Sequence, residues 1–131
     1  MPEGLSVLVV DDCADTVLSL AMLLRASGHR VRAALSGEKA LELAAEEVPD
    51  AVLLDLTMPR MDGLELAARL RGVASAKRPF LVAVSGRGSA LDRERCRQAG
   101  IDMFFLKPAD PTELVTVLER LCRVVTPACS A

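Results

Sequence analysis

Ser6-Val7-Leu8-Val9-Val10-Asp11-Asp12 runs uncharged from Ser6 to Val10 and then stops on two carboxylates. The run shows no apolar–polar alternation, so a strand built from it is buried on both faces, as in a parallel sheet covered by helices. The pattern returns three times along the chain. Ala51–Leu54 (AVLL) ends at Asp55, Phe80–Val84 (FLVAV) at Ser85, and Met103–Leu106 (MFFL) at Lys107-Pro108. A fifth, weaker run, Val31–Ala34, carries Arg32, which predicts an edge strand.

Helix-length segments separate these runs. Ala14–Ser27 stops at Gly28, a helix C-terminal signal, and Gly37–Glu47 follows Ser36, a good N-cap. Leu64–Arg71 and Leu91–Ala99 end at Gly72 and Gly100, and Thr112–Val124 follows Asp110-Pro111, a cap and a first-turn proline. Leu114, Val117, Leu118 and Leu121 give the last segment one apolar stripe. Leu91–Ala99 has almost none, because Asp92, Arg93, Glu94, Arg95 and Arg97 crowd it, and it is expected to be the least firmly docked helix. Five strand–helix units in series imply an α/β domain with right-handed crossovers. The natural arrangement is a doubly wound, five-stranded parallel sheet of order 2-1-3-4-5. Residues 1–125 are expected to form this domain, with 126–131 a short tail or linker stub.

Composition narrows the function. The 131 residues suit one domain, and 51% apolar with 26% charged residues provides a full core. A net charge of −2 argues against direct nucleic-acid binding, and three phenylalanines supply no stacking platform for single strands. No apolar run approaches the roughly 18 residues of a membrane span, and the N-terminus lacks a secretory pattern. Cys13, Cys96, Cys122 and Cys129 do not pair as CxxC and lie far from His29, the sole histidine. They read as reduced thiols of a cytoplasmic protein, with Cys13 a small loop filler and His29 without a function.

In a parallel sheet every strand C-terminus lies on one edge, where open α/β sheets place ligands. Asp11, Asp12, Asp55, Ser85 and Lys107 are therefore expected to converge. Lys107 is one of only three lysines among sixteen basic residues. Two carboxylates about 4 Å apart repel by roughly 4 kcal/mol at an effective dielectric near 20. Three therefore call for a cation or for raised pKa values. An all-oxygen site without His or Cys selects Mg²⁺ or Mn²⁺. A metal, an ammonium and a hydroxyl together suit phosphoryl oxygens, and a carboxylate can be the acceptor.

VLVVDD (7–12), AVLLDLTMPRMDG (51–63), VAVSG (82–86) and LKP (106–108) occur in this order. With them the chain closely resembles the receiver domain of two-component response regulators, from Leu5 to Val124. The segment Leu23–His29 is similar to receivers attached to hybrid sensor kinases. The resemblance implies the flavodoxin-like receiver fold and a phosphoacceptor signalling module rather than an enzyme with a separate substrate. It implies Asp55 as the phosphoryl acceptor, loaded by a histidine kinase or phosphotransfer protein. It implies Mg²⁺ held by Asp12, Asp55 and the Thr57 carbonyl, with Asp11 acting mainly through a water. Ser85 and Lys107 would bind the phosphoryl group, Lys107-Pro108 would be cis, and Ser85 and Phe104 would form the switch. Pro59 and Gly63 match the loop after the acceptor, where glycine permits the turn. The fourth helix, fifth strand and fifth helix would be the surface that a downstream protein reads, and the arginines around that helix, Arg87, Arg93, Arg95 and Arg97, are either a solvated face or part of it.

Three positions depart from common family forms: Thr57 and Arg87 are not acidic or amide residues able to position water, and Phe104 lacks the usual hydroxyl. An aspartyl phosphatase would need an acid at Thr57. A flavodoxin-like cofactor domain would need a phosphate loop where Asp11-Asp12 repels phosphate. A receiver fold used only for phosphorylation-independent docking would have no need of the intact acidic set.

Overall fold

In the computed structural model the described residues are 4–72, 77–86 and 88–125. The chain alternates β1 (Ser6–Val10), α1 (Ala14–Ala26), β2 (Arg30–Ala34), α2 (Gly37–Glu46), β3 (Ala51–Leu54), α3 (Gly63–Gly72), β4 (Phe80–Ser85), α4 (Ala90–Gln98), β5 (Met103–Leu106) and α5 (Pro111–Val125). The strands form one parallel sheet ordered β2-β1-β3-β4-β5. This is the doubly wound arrangement that the strand–helix alternation predicts. Arg87 and residues 126–131 lie outside the described residues.

The strand residues alternate between two apolar layers. Leu8, Val10, Val52, Leu54 and Leu81 pack toward Ala40 and Ala44 of α2, Leu66 and Leu70 of α3, and Cys96 of α4. Val7, Val9, Leu53 and Val82 pack toward Val17 and Leu24 of α1 and Leu114 and Leu118 of α5. Burying one such leucine contributes about 2 kcal/mol. α5 buries two leucines in this way, whereas α4 buries only Cys96. The weak docking expected of α4 follows from that difference. What α4 does have is local: Ser89 and Asp92 close a capping box at its start.

The edges differ from one another. β2 is an edge strand, as Arg32 indicates, and the guanidinium donates to the Leu43 and Glu47 carbonyls at 2.6 Å each, tying the strand to α2. β5 corrects an expectation. Its run MFFL reads as buried on both faces, yet it is the opposite edge, with Met103 36% and Leu106 48% exposed. Apolarity marks the residues but not their pairing partners, and β5 has β4 on one side only.

Acids and bases at the other end of the sheet serve as fasteners. Asp50 accepts the Ser6 N–H at 2.8 Å and pairs with Lys77 at 2.8 Å. Arg71, at the end of α3, donates to the Gly100 and Pro79 carbonyls and to Asp102, which also accepts the Leu81 N–H at 2.9 Å. One guanidinium thus joins the end of α3 to the starts of β4 and β5.

His29 has a structural job. It is buried, and Nδ1 accepts the Leu5 N–H at 3.0 Å, while Nε2 has no partner among the described residues. Burial lowers its pKa, opposed by the Glu119 charge. Protonating Nδ1 would break the bond to Leu5. A histidine whose folded pKa lies below its unfolded value of about 6.5 takes up its proton more readily when unfolded. Its contribution to stability is therefore complete above about pH 6.5 and is lost as pH falls toward the folded pKa. Urea melts at pH 7.5 and pH 5.5 are expected to show a larger loss for the wild type than for His29→Gln. Equal losses would mean that the ring is not held neutral.

Candidate functional site

Strands β1, β3, β4 and β5 deliver polar groups to the same edge because the register is parallel and nearly level. Val10 pairs with Leu54, so Asp11 and Asp55 emerge side by side, and the Asp55 N–H donates to the Val10 carbonyl at 3.0 Å. Ser85 pairs with Leu106, which sets Lys107 next to it, and the Lys107 N–H donates to the Ser85 carbonyl at 2.8 Å. The peptide bond that follows, Lys107-Pro108, is cis. The pattern of polar strand ends thus becomes one cluster.

Asp11, Asp12 and Asp55 each present a carboxylate oxygen within 4.8 Å of the others. Asp11 and Asp55 are buried and Asp12 is exposed. The Lys107 ammonium reaches Asp11 Oδ2 at 3.3 Å and Asp55 Oδ1 at 3.7 Å. The remaining oxygen of Asp11, Oδ1, accepts the Cys13 N–H at 3.0 Å, and Asp55 Oδ1 also accepts the Thr57 N–H at 3.4 Å. Burial pushes the Asp55 carboxyl above the ordinary aspartate range; Lys107 pulls it back, and Asp11 pushes it up again. Burial also works against the Lys107 ammonium, but Asp55 and Asp11 more than offset it and hold its pKa above the ordinary lysine value. Among the described residues one ammonium, paired with Asp11 and Asp55, stands beside three clustered carboxylates, a shortage of positive charge. Among the described residues the cluster's metal-ligating side chains are the three carboxylates, an all-oxygen set suited to a hard divalent cation.

The other predicted residues take these places. Ser85 is fully buried at the end of β4, beside Lys107. Thr57 is exposed in the β3–α3 loop. Phe104 is half-buried on β5, with the Arg93 guanidinium 5.0 Å from its ring centre. Asp12 does not cap α1; Cys13 holds the N-cap position, and its exposed thiol is held below the ordinary cysteine pKa by the Thr16 hydroxyl and N–H. Gly63 is not the turn residue. The left-handed residue of that loop is Arg60, at φ 69°. Gly63 is needed for close approach: a Cβ there would lie 2.4 Å from the Asp55 carbonyl oxygen and 2.7 Å from Leu56 Cα.

The sequence gives no sign of a groove of about 660 Å³ between α1 and α5. Thr16, Leu20, Leu23, Lys107, Pro108 and Leu114 are among the residues that line it. Only the stripe Thr16, Leu20, Leu23 could have signalled it, and on a helix that also buries Val17, Ala21 and Leu24 such a stripe reads as core.

Comparison with known proteins agrees with this fold. The family model of the response regulator receiver domain matches residues 7–119. The transcriptional regulatory protein PrrA of Mycobacterium leprae is 41% identical over 126 residues, which are 94% of this chain and 53% of that protein. The response regulator MprA of Mycolicibacterium vanbaalenii is 40% identical over 121 residues, covering 92% of this chain and 52% of that protein. The chain thus spans about half the length of these curated relatives. Among solved structures, the Vibrio cholerae chemotaxis protein CheY4 superposes with a TM-score of 0.83 at 26% identity, covering 88% of this chain and 97% of that one. The family model covers 113 of the 131 residues, and the chain belongs to the response regulator receiver domains of two-component systems.

Proposed function

We propose that Asp55 accepts a phosphoryl group from a histidine kinase or phosphotransfer protein and that the modified site reshapes the face formed by α4, β5 and α5. The observation that carries this reading is the placement of a buried carboxylate 3.7 Å from an ammonium and within 4.8 Å of two further carboxylates. An Asp55 oxygen forms the new P–O bond as the donor's P–N bond breaks, and the donor imidazole leaves with the electron pair of that bond. Lys107 then faces the added phosphoryl charge, and Ser85 is next to it along the edge. Asp11, Asp12, Asp55 and the Thr57 carbonyl would hold Mg²⁺ or Mn²⁺, which when bound neutralises phosphoryl oxygens. Exposed Leu91, Met103 and Leu106 make the α4–β5 side a reading surface for a downstream protein.

The metal assignment has its own test. Titration calorimetry is expected to show Mg²⁺ binding weakened on the order of tenfold or more by Asp12→Ala and little changed by Ser85→Ala. A larger loss from the serine change would place the cation elsewhere.

A further inference from the structure

We propose that Met61 is a positioning residue of the cation site: seated on Gly37 of α2, it fixes the loop between Asp55 and Gly63 and so sets how firmly the Thr57 carbonyl can serve as a ligand. The inference rests on the reading of that carbonyl given above. The loop closes on itself. The Met61 N–H donates to the Pro59 carbonyl at 2.8 Å, the Gly63 N–H donates to the Leu56 carbonyl at 2.9 Å, and Arg60 between them holds φ 69°. These bonds shape the loop without tying it to another element. Side chains supply that tie. Thr57, Pro59 and Arg60 are exposed, but Met58 and Met61 are buried in the apolar layer that also holds Ala40 and Ala44 of α2.

The contact is closest at the first residue of α2. A Cβ on Gly37 would lie 2.7 Å from Met61 Sδ and 3.1 Å from both its Cβ and its Cγ, so the three nearest atoms all belong to this one methionine. Glycine is a poor helix residue, and this helix is otherwise well started, with the Ser36 hydroxyl accepting the Lys39 N–H at 3.1 Å. Alanine would suit the helix better and would close the seat. The chain thus carries the residue that serves Met61 at the expense of α2. The seat matters because the proposed ligands are held differently. Asp11, Asp12 and Asp55 stand directly beyond strands β1 and β3, whereas Thr57 is carried by the loop. A loop that must be ordered on binding gives up part of the binding free energy as lost entropy, and a loop ordered beforehand does not.

Titration calorimetry with Mg²⁺ alone, on variants shown to be folded by circular dichroism, tests this. Met61→Ala is expected to weaken binding about tenfold, the lower end of the loss when a neighbour that orients a metal ligand is removed. Met61→Leu, of similar volume, should restore most of it. Gly37→Ala displaces the methionine and should weaken binding by a smaller factor. Added to Met61→Ala it should weaken binding no further, because the space is then vacant. Leu70→Ala trims the same apolar layer near the far end of α3, so it should lower the urea midpoint and leave Mg²⁺ affinity at the wild-type value. Unchanged affinity in Met61→Ala, an equal loss in Leu70→Ala, or a further loss from Gly37→Ala on the Met61→Ala background overturns the role of Met61 and leaves the cation site standing. If Met61→Ala does not fold, Gly37→Ala decides, and unchanged affinity there overturns the proposal. A wild type that binds no Mg²⁺ overturns the cation reading and this inference with it.

Discussion

Intact-protein mass spectrometry after incubation with acetyl phosphate and Mg²⁺ is expected to show one phosphate adduct on the wild type and none on Asp55→Ala. Three carboxylates share the edge, and their surroundings separate them. Asp12 is exposed. Asp11 is buried, but one oxygen is taken by the Cys13 N–H and the other by Lys107. Asp55 is buried with its pKa raised, so its oxygen is more basic than that of an ordinary aspartate, while Lys107 favours the ionised, nucleophilic form. The expected change is complete loss of labelling, with the fold retained because alanine removes a crowded charge and not an apolar contact. Equal labelling of both proteins would move the acceptor elsewhere and undo the proposed function.

Gly63→Ala is expected to cost stability and to slow labelling in the same protein. Overpacking a well-packed site costs about 1–3 kcal/mol, and the upper part of that range applies when the neighbour cannot move aside. Here the closest neighbours of an added Cβ are main-chain atoms, the Asp55 carbonyl oxygen at 2.4 Å and Leu56 Cα at 2.7 Å. Relief requires the start of α3 to withdraw or the end of β3 to shift, and Asp55 sits at the end of β3. The urea midpoint should fall, and the acetyl phosphate labelling rate should fall with it. Gly72→Ala is the matched control. Among the described residues nothing lies within 4 Å of a Cβ at this last residue of α3, so alanine there should leave stability equal or slightly raised. Equal midpoints for the two variants would show that the approach of α3 to the acceptor strand is looser than 2.4 Å implies.

Much of this molecule is legible in one dimension. The runs at Ser6–Val10, Ala51–Leu54 and Met103–Leu106 coincide with β1, β3 and β5 residue for residue. An uninterrupted apolar run bounded by polar residues leaves the backbone little choice of period. The site was legible for a topological reason: parallel strands put all their C-termini on one edge, so the residue after each run could be read as a member of one cluster. What stayed hidden depends on distances between elements. The exposure of β5 is set by its place at the sheet edge, and its composition says nothing of that. The need for Gly63 comes from the approach of α3 to β3, and the contact of Arg93 with Phe104 joins a helix to a strand it barely packs on. His29 looks idle in sequence because its partner, the Leu5 N–H, is a main-chain group that no residue type announces.

The spread of the site along the chain has a consequence for signalling fidelity. Asp11, Asp55, Ser85 and Lys107 come from four different strand–helix units, and every contact among them is non-local. Such contacts form late and together, once the ordering entropy of the intervening loops has been met. A truncated, half-translated or thermally opened copy holds an aspartate in water, with no ammonium opposite and no neighbouring carboxylates. It is chemically mute. With Asp55 as the proposed acceptor, phosphoryl acceptance would double as a proofreading step, because the carboxylate meets its ammonium and neighbouring acids only when all four units have come together.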